Sequence, residues 1–320
     1  MGKNNKQQIL VNNINMNKIL ILGADGNLGT QFVKNSDFLD SAQIISFSRD
    51  DLDLLDSDDI MLKISKIKPD VIINTAAYNA VDKCEEFEDE FKIAKKINSD
   101  ALKFLGKAAI KNNSILVHYS TDYVFGGDVC HEDGCNDDCL LKFKENGGFR
   151  ENDDPCPVNK YGLTKLWGEE ELLKLGDKKL KYYIIRTSKL FGPKGKSNDS
   201  KDSFFDLMLK LSKDRSEINV VNEELSCFTY TPDLALQTIN ILKNKNDFGI
   251  YHVRNSGPAI WYDAARELFK IKNIKIKINP VSAESFPRPA KRPKYSVLAN
   301  SKLPALRDWR EALKEYLNNL

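Results

Sequence analysis

The strongest constraint on this chain is a junction near its start: the apolar run Lys18-Ile19-Leu20-Ile21-Leu22 ends abruptly in Gly23-Ala24-Asp25-Gly26-Asn27-Leu28-Gly29. A run that short and that apolar reads as a strand buried on both faces. Glycines at the turn after such a strand let the backbone approach a ligand closely. A pyrophosphate held there meets the free N–H groups and the positive dipole end of the following helix. The glycine spacing alone is weak evidence, and its context strengthens it. Further apolar runs at residues 43–48, 71–74, 115–120 and 181–186 are separated by segments long enough for helices. That alternation predicts an α/β fold, a doubly wound parallel sheet of at least five strands. It also predicts a dinucleotide held at Gly23, Asp25, Gly26, Asn27, Leu28 and Gly29.

Residues 88–112 carry apolar side chains at helical spacing, at Phe91, Ile93, Ala94, Ile97, Ala101, Leu102 and Leu105, and read as one long helix. Beyond Thr187 the pattern becomes less regular, with a Gly/Lys/Ser/Asp loop at 192–200, a helix near 202–212 and a short strand at 218–221. The expected organisation is a flexible extension over 1–16, a dinucleotide-binding domain over 17–188 and a smaller, mainly substrate-binding lobe over 189–320. Residues 126–157, rich in turn formers, read as a loop insertion in the first domain. Thr231-Pro232-Asp233 reads as an N-cap followed by Pro at the first helical position. Within the second lobe, 229–255 is expected to return to the main sheet.

Composition removes other classes. With 48 Lys and Arg against 46 Asp and Glu, no net field calls for nucleic acid or an anionic membrane. No apolar stretch approaches the roughly 20 residues of a membrane helix. The first residues lack the apolar core of a secretion signal, so a cytoplasmic location is expected. Six cysteines are too few for a disulfide scaffold, and that compartment would keep them reduced. Cys130, Cys135, Cys139 and Cys156, with His131, lack paired zinc spacing and read as solvated loop thiols rather than a metal site.

Two further features carry chemistry. The second strand ends in Ser46-Phe47-Ser48-Arg49, without the acidic residue that would hold both ribose hydroxyls of NAD. Arg49 could pair with a 2′-phosphate instead, which points to NADPH, with NADH left open. Asp53 and Leu54 would border the adenine. Tyr161 and Lys165 lie four apart at the start of a helix and so share one face. A nearby ammonium favours a phenolate and would tune Tyr161 as a proton donor. Thr121, just past the fourth strand, lies where a carbonyl oxygen could be held.

These residues, with Asn74-Thr75-Ala76-Ala77-Tyr78-Asn79-Ala80-Val81-Asp82-Lys83, Val117-His118-Tyr119-Ser120-Thr121-Asp122-Tyr123-Val124-Phe125 and Arg292-Pro293-Lys294-Tyr295-Ser296, carry a family resemblance. From about residue 17 to the C-terminus the chain resembles the extended short-chain dehydrogenases/reductases of Rossmann type, most closely the dTDP-4-dehydrorhamnose reductase family. The resemblance implies hydride transfer from NADPH to the C4 keto group of a nucleotide-linked 4-keto-6-deoxy sugar, in deoxysugar and surface polysaccharide synthesis. It implies that Thr121, Tyr161 and Lys165 form the catalytic set, and that Ala76, Ala77 and Tyr78 line the cofactor. Asn98 would support Lys165 through water. Thr121, Asp122, Lys189, Arg288 and Arg292 would meet the substrate, the basic cluster Arg288, Lys291, Arg292 and Lys294 neutralising its diphosphate. The resemblance is compatible with a homodimer.

Departures from the family pattern are also legible. Arg186-Thr187-Ser188-Lys189 places a cation where the family has an aromatic, Glu223 to Thr229 differs from the usual second-lobe string, and the loop before Tyr161 is longer. Two alternatives therefore stay open at this point. One is a non-catalytic dinucleotide-binding subunit resembling the beta subunit of methionine adenosyltransferase, and the other is a reductase or epimerase of another sugar nucleotide.

Overall fold

A computed structural model describes residues 16–35, 42–126, 145, 147–197 and 200–320. Residues 1–15 of the expected extension, and Cys130, His131, Cys135 and Cys139, lie outside the described residues.

The first strand, β1 (Lys18–Leu22), ends at the glycine turn and leads into α1 (Gly29–Lys34). Next come β2 (Gln43–Phe47), α2 (Ser57–Ile67), β3 (Val71–Asn74), α3 (Val81–Glu86) and α4 (Glu88–Lys95). A π-helical turn, Lys96–Asp100, separates α4 from α5 (Ala101–Asn112). The chain continues through β4 (Ile115–Thr121), a 3₁₀ turn (Asp122–Val124), α6 (Lys160–Gly176) and β5 (Lys181–Thr187). With β9 (Gly249–His252) these strands form a six-stranded, all-parallel sheet in the order β2-β1-β3-β4-β5-β9. The chain winds one way from β1 to β2 and the other way from β3 onward, so the switch point and its ligand crevice fall at the C-terminal ends of β1 and β3. The doubly wound parallel sheet is the fold the sequence predicts.

Side-chain alternation divides the sheet between two cores. Ile19, Ile21, Val71, Ile73, Val117, Tyr119, Tyr183 and Ile185 pack with Phe32 of α1 and with Leu234, Ile239 and Leu242. Leu20, Leu22, Ile72, Leu116 and Ile184 pack on the other face with Ile60, Ile64, Leu102, Leu105, Leu172 and Leu175, which belong to α2, α5 and α6. By the same alternation, the polar residues Asn74, His118 and Arg186 point into this second face. All of them are almost wholly buried.

Beyond β5 the chain forms β6 (Leu190–Phe191), α7 (Phe204–Asp214), β7 (Glu217–Val221), β8 (Thr229–Tyr230), α8 (Thr231–Lys243), α9 (Trp261–Ile271), β10 (Lys277–Val281) and α10 (Trp309–Asn318). A separate core joins Phe191, Phe205, Phe228, Tyr230, Leu268 and Trp309. Ser203 and Asp206 close α7 with a reciprocal capping box. In α8, Thr231 is the first helical residue rather than the cap. Tyr230 occupies the cap position, its N–H held by Asn255 Oδ1 at 2.8 Å. Among the described residues no helix is long and apolar enough to cross a membrane. Cys84 and Cys227 are free and buried, but Cys156 is disulfide-bonded, against the expectation of reduced thiols. Sequence spacing does not reveal which cysteines a fold brings within bonding distance.

Candidate active site

The glycine turn is built for close backbone approach. Gly23 has φ +73°, and a Cβ there would lie 2.8 Å from Ala76 N. A Cβ on Gly29 would lie 2.2 Å from Gly23 O, so a larger residue would push α1 off the turn. Thr75 at the end of β3 ties the two strand ends together, its Oγ1 donating to Leu22 O at 2.7 Å. The segment Ala76-Ala77-Tyr78 therefore faces the turn across the switch-point crevice, and Ala77 is exposed there. This crowded cradle, lined mainly by backbone, fits a dinucleotide pyrophosphate. Arg49 is exposed just past the end of β2. Asp53 is exposed and uses a carboxylate oxygen to accept from Leu55 N at 2.9 Å, while Leu54 packs on the α2 side of the core.

A loop of the second lobe closes on the turn. Asn27 accepts from Gly195 N at 2.8 Å and donates to Lys201 O at 2.9 Å, while Asp25 O accepts from Ser197 N at 3.0 Å. Asn27 and Asp25 thus anchor Gly195, Ser197 and Lys201 on the turn.

Thr121 closes β4, and its Oγ1 accepts from Tyr123 N at 3.2 Å, capping the 3₁₀ turn. Tyr161 occupies the first turn of α6. That helix is capped by Asn159, whose Oδ1 accepts from Gly162 N at 2.8 Å and whose amide donates to Lys291 O at 2.8 Å. Gly162 lets the helix sit against the 3₁₀ turn, since a Cβ there would lie 2.2 Å from Tyr123 O. The fold thereby seats Tyr161 on the turn that Thr121 caps, its ring edge-to-face with Tyr123 at 5.9 Å between centroids. Burial, then the neighbouring Asp122 carboxylate, push the Tyr161 phenol above its ordinary value. Burial also raises Asp122, against hydrogen bonds that include one from Ser296 Oγ at 2.6 Å.

Lys165, one turn along α6, is 2% exposed. Its Nζ donates to Tyr119 O at 2.6 Å and lies 3.1 Å from His118 Nε2. Burial lowers it from its ordinary 10.5 to about 8. The arrangement differs from the sequence expectation: the amine is drawn toward β4, and the phenol is raised rather than lowered. Asn98, expected to act on Lys165 through water, bonds directly to other partners. Its Oδ1 accepts from Tyr78 N at 2.9 Å, and its amide donates to Tyr78 O at 3.0 Å and Thr164 Oγ1 at 3.1 Å. It pins the cofactor-side segment to α6 from within the π turn.

Facing Asp122 from the second lobe, Lys189 has φ +37° and donates from Nζ to Glu224 O at 2.9 Å. The ammonium sits 3.8 Å from the Trp261 ring centroid, a cation–π contact, and burial lowers it to about 8. Glu224 also pairs with Arg288 and accepts from Trp261 Nε1 at 2.8 Å. Arg292 is engaged bidentately by Asp82, at 2.9 and 2.8 Å. The basic cluster expected for a diphosphate is thus partly neutralised by carboxylates, because residues far apart in the chain supply its partners. Glu224 lies in the Glu223 to Thr229 string that departs from the family pattern, whereas Trp261 joins this face with no prior signal in the sequence. Among the described residues no cluster of three or more His, Cys, Asp or Glu could hold a metal.

A doubly wound parallel sheet with a glycine cradle, a strand-end threonine and a Tyr–Lys pair on one helix defines a Rossmann-type short-chain dehydrogenase/reductase. Residues 16–320 match the RmlD substrate binding domain family, and the chain belongs to it. It is 32% identical to the spore coat polysaccharide biosynthesis protein SpsK of Bacillus subtilis, over 94% of this chain and 97% of that one. It is 35% identical to the dTDP-4-dehydrorhamnose reductase of Escherichia coli, over 80% and 82% of the two chains. The structure of dTDP-4-dehydrorhamnose reductase from Bacillus anthracis in complex with NADP superposes with a TM-score of 0.81 at 30% identity, covering 96% of this chain and all (100%) of that one.

Proposed function

We propose that this chain reduces the C4 keto group of a nucleotide-linked 4-keto-6-deoxy sugar using NADPH, with Thr121, Tyr161 and Lys165 as its catalytic residues. The observation that carries the reading is the placement of Tyr161, packed edge-to-face on Tyr123 two residues past Thr121, and of Lys165, bonded to Tyr119 O of β4, at the same C-terminal edge of the sheet as the glycine cradle. Relatives matched over most of their length and named dTDP-4-dehydrorhamnose reductase support the substrate class. A cytoplasmic location and a homodimer are further parts of the proposal.

NADPH, when bound at Gly23 to Gly29 and Ala76 to Tyr78, supplies the hydride. Thr121 orients the keto oxygen, and Tyr161 donates its phenolic proton to that oxygen as charge develops there. The raised phenol keeps Tyr161 protonated at neutral pH, the state a general acid needs. Lys165 supplies the positive charge that stabilises the phenolate left behind. Lys189, Trp261 and Arg288 form the wall against which the sugar and its diphosphate would pack.

The test is NADPH consumption with dTDP-4-dehydrorhamnose generated in place. Turnover is expected, and its absence in folded, cofactor-binding protein would refute the reading. The pH dependence has a definite sign. Lys165 is charged below about 8 and neutral above it, so kcat/KM for reduction should fall as pH rises through about 8. A profile flat to pH 10 would show that this amine is not required as a cation. For the cofactor, Arg49→Ala should weaken NADPH binding by about 10- to 100-fold, the effect of losing a charged hydrogen bond, and leave NADH little changed. Equal losses for both would remove Arg49 from the 2′-phosphate.

A further inference from the structure

The catalytic amine is backed by a buried hydrogen-bond chain with a fixed direction. Asn74 and His118 are register partners on the adjacent strands β3 and β4, and each is 1% exposed. Ala76 N donates to Asn74 Oδ1 at 3.2 Å. This backbone N–H decides which end of the Asn74 amide faces it, since the reversed amide would set two donors against each other. Asn74 Nδ2 must then point at His118 Nδ1, 3.2 Å away, and donate to it. A neutral imidazole that accepts at Nδ1 carries its proton at Nε2. That Nε2–H faces Lys165 Nζ at 3.1 Å, where only the lone pair of a neutral amine can accept it.

We propose that His118, locked by Asn74 as the Nε2–H tautomer, is a positioning residue that favours the neutral form of Lys165 and so brings its proton exchange into the working pH range. An ammonium at Lys165 meets an N–H instead of a lone pair, whereas the neutral amine is hydrogen-bonded to it. Other groups around Lys165 act in known directions. Glu169 on α6 favours the ammonium, and its carboxylate is shared with Arg186 of β5. Tyr119 O of β4 accepts from the amine in either form. Tyr161, on the same helix, is a neutral phenol. Burial holds His118 neutral, with the Lys165 charge acting in the same direction. The proton account closes: the phenol gives one proton to the keto oxygen, the ammonium supplies the proton that restores the phenol, and the amine regains one from solvent. His118 stabilises the neutral amine between the last two transfers and neither gains nor loses a proton.

The inference rests on the reading of Lys165 as catalytic, and its test separates the two. The imidazole nitrogens of the full chain, labelled with ¹⁵N-histidine and without cofactor or substrate, report the tautomer by NMR, His118 being assigned by the signals lost in His118→Gln. A protonated Nε2 and a bare Nδ1 are expected, unchanged between pH 6 and 9. A proton on Nδ1 would overturn the inference while leaving the reductase reading intact. In His118→Gln the amide can turn its oxygen to the ammonium, and in Asn74→Asp the carboxylate draws the proton to Nδ1. Both should move the basic limb of kcat/KM upward by about 0.5 to 1 pH unit, the size of one ordinary hydrogen bond. A merely structural His118 would lower activity at every pH and leave the limb in place, and that result would also overturn the inference.

Discussion

Replacing Tyr161 by Phe is expected to lower kcat by about 10²- to 10⁴-fold, the range for removing a positioned general acid, while NADPH still binds. The substitution deletes only the hydroxyl, so the ring should keep its edge-to-face contact with Tyr123, at 5.9 Å between centroids, and the helix cap at Asn159 is untouched. The cofactor cradle is built from the turn after β1 and the segment after β3 and does not depend on that hydroxyl. Loss of turnover with unchanged cofactor affinity assigns the proton to Tyr161. A variant that keeps most of its kcat would assign it to another group.

The second large effect concerns the pair beneath the same helix. Glu169 and Arg186 are 1% and 2% exposed, and they are joined through Nη2–Oε2 at 2.6 Å and Nε–Oε1 at 3.0 Å. Removing one partner leaves the other charge buried without compensation. Glu169→Ala should therefore destabilise the chain by about 3–5 kcal/mol, read from urea unfolding. Replacing both, as Glu169→Leu with Arg186→Met, should cost less than the two single losses added together, because no orphaned charge remains. Additive losses would show that the pairing itself contributes little. Glu169→Ala should also move the basic limb of kcat/KM downward, since that carboxylate favours the Lys165 ammonium. His118→Gln moves it the other way, so the two variants bracket the same amine.

Periodic apolar runs made most of the sheet legible. β1 spans Lys18–Leu22 and β3 spans Val71–Asn74 as read from the sequence, and the other strand ends differ by one residue, because burial on both faces is written directly in composition. The helix read across residues 88–112 is interrupted by the π turn at Lys96–Asp100, which apolar spacing does not register. The turn packs against a residue distant in the chain: Gly168 on α6 leaves room for Asn98 O, which a Cβ would approach to 2.1 Å. His118 carries no signal of its own in the sequence, because its task depends on Asn74 and Lys165, which only the packing of β3, β4 and α6 brings together. The pairs Arg292–Asp82 and Arg288–Glu224 join residues 210 and 64 positions apart, and no local pattern announces them. For the same reason the diphosphate site drawn from neighbouring cations was too simple.

The most direct test of the central claim is to follow the hydride itself. NADPH deuterated at C4 of the nicotinamide, incubated with the protein and dTDP-4-dehydrorhamnose, should yield a product carrying one deuterium at C4 of the sugar, with label transfer abolished in Tyr161→Phe. Product without label, label at another carbon, or undiminished transfer in the variant would contradict the account.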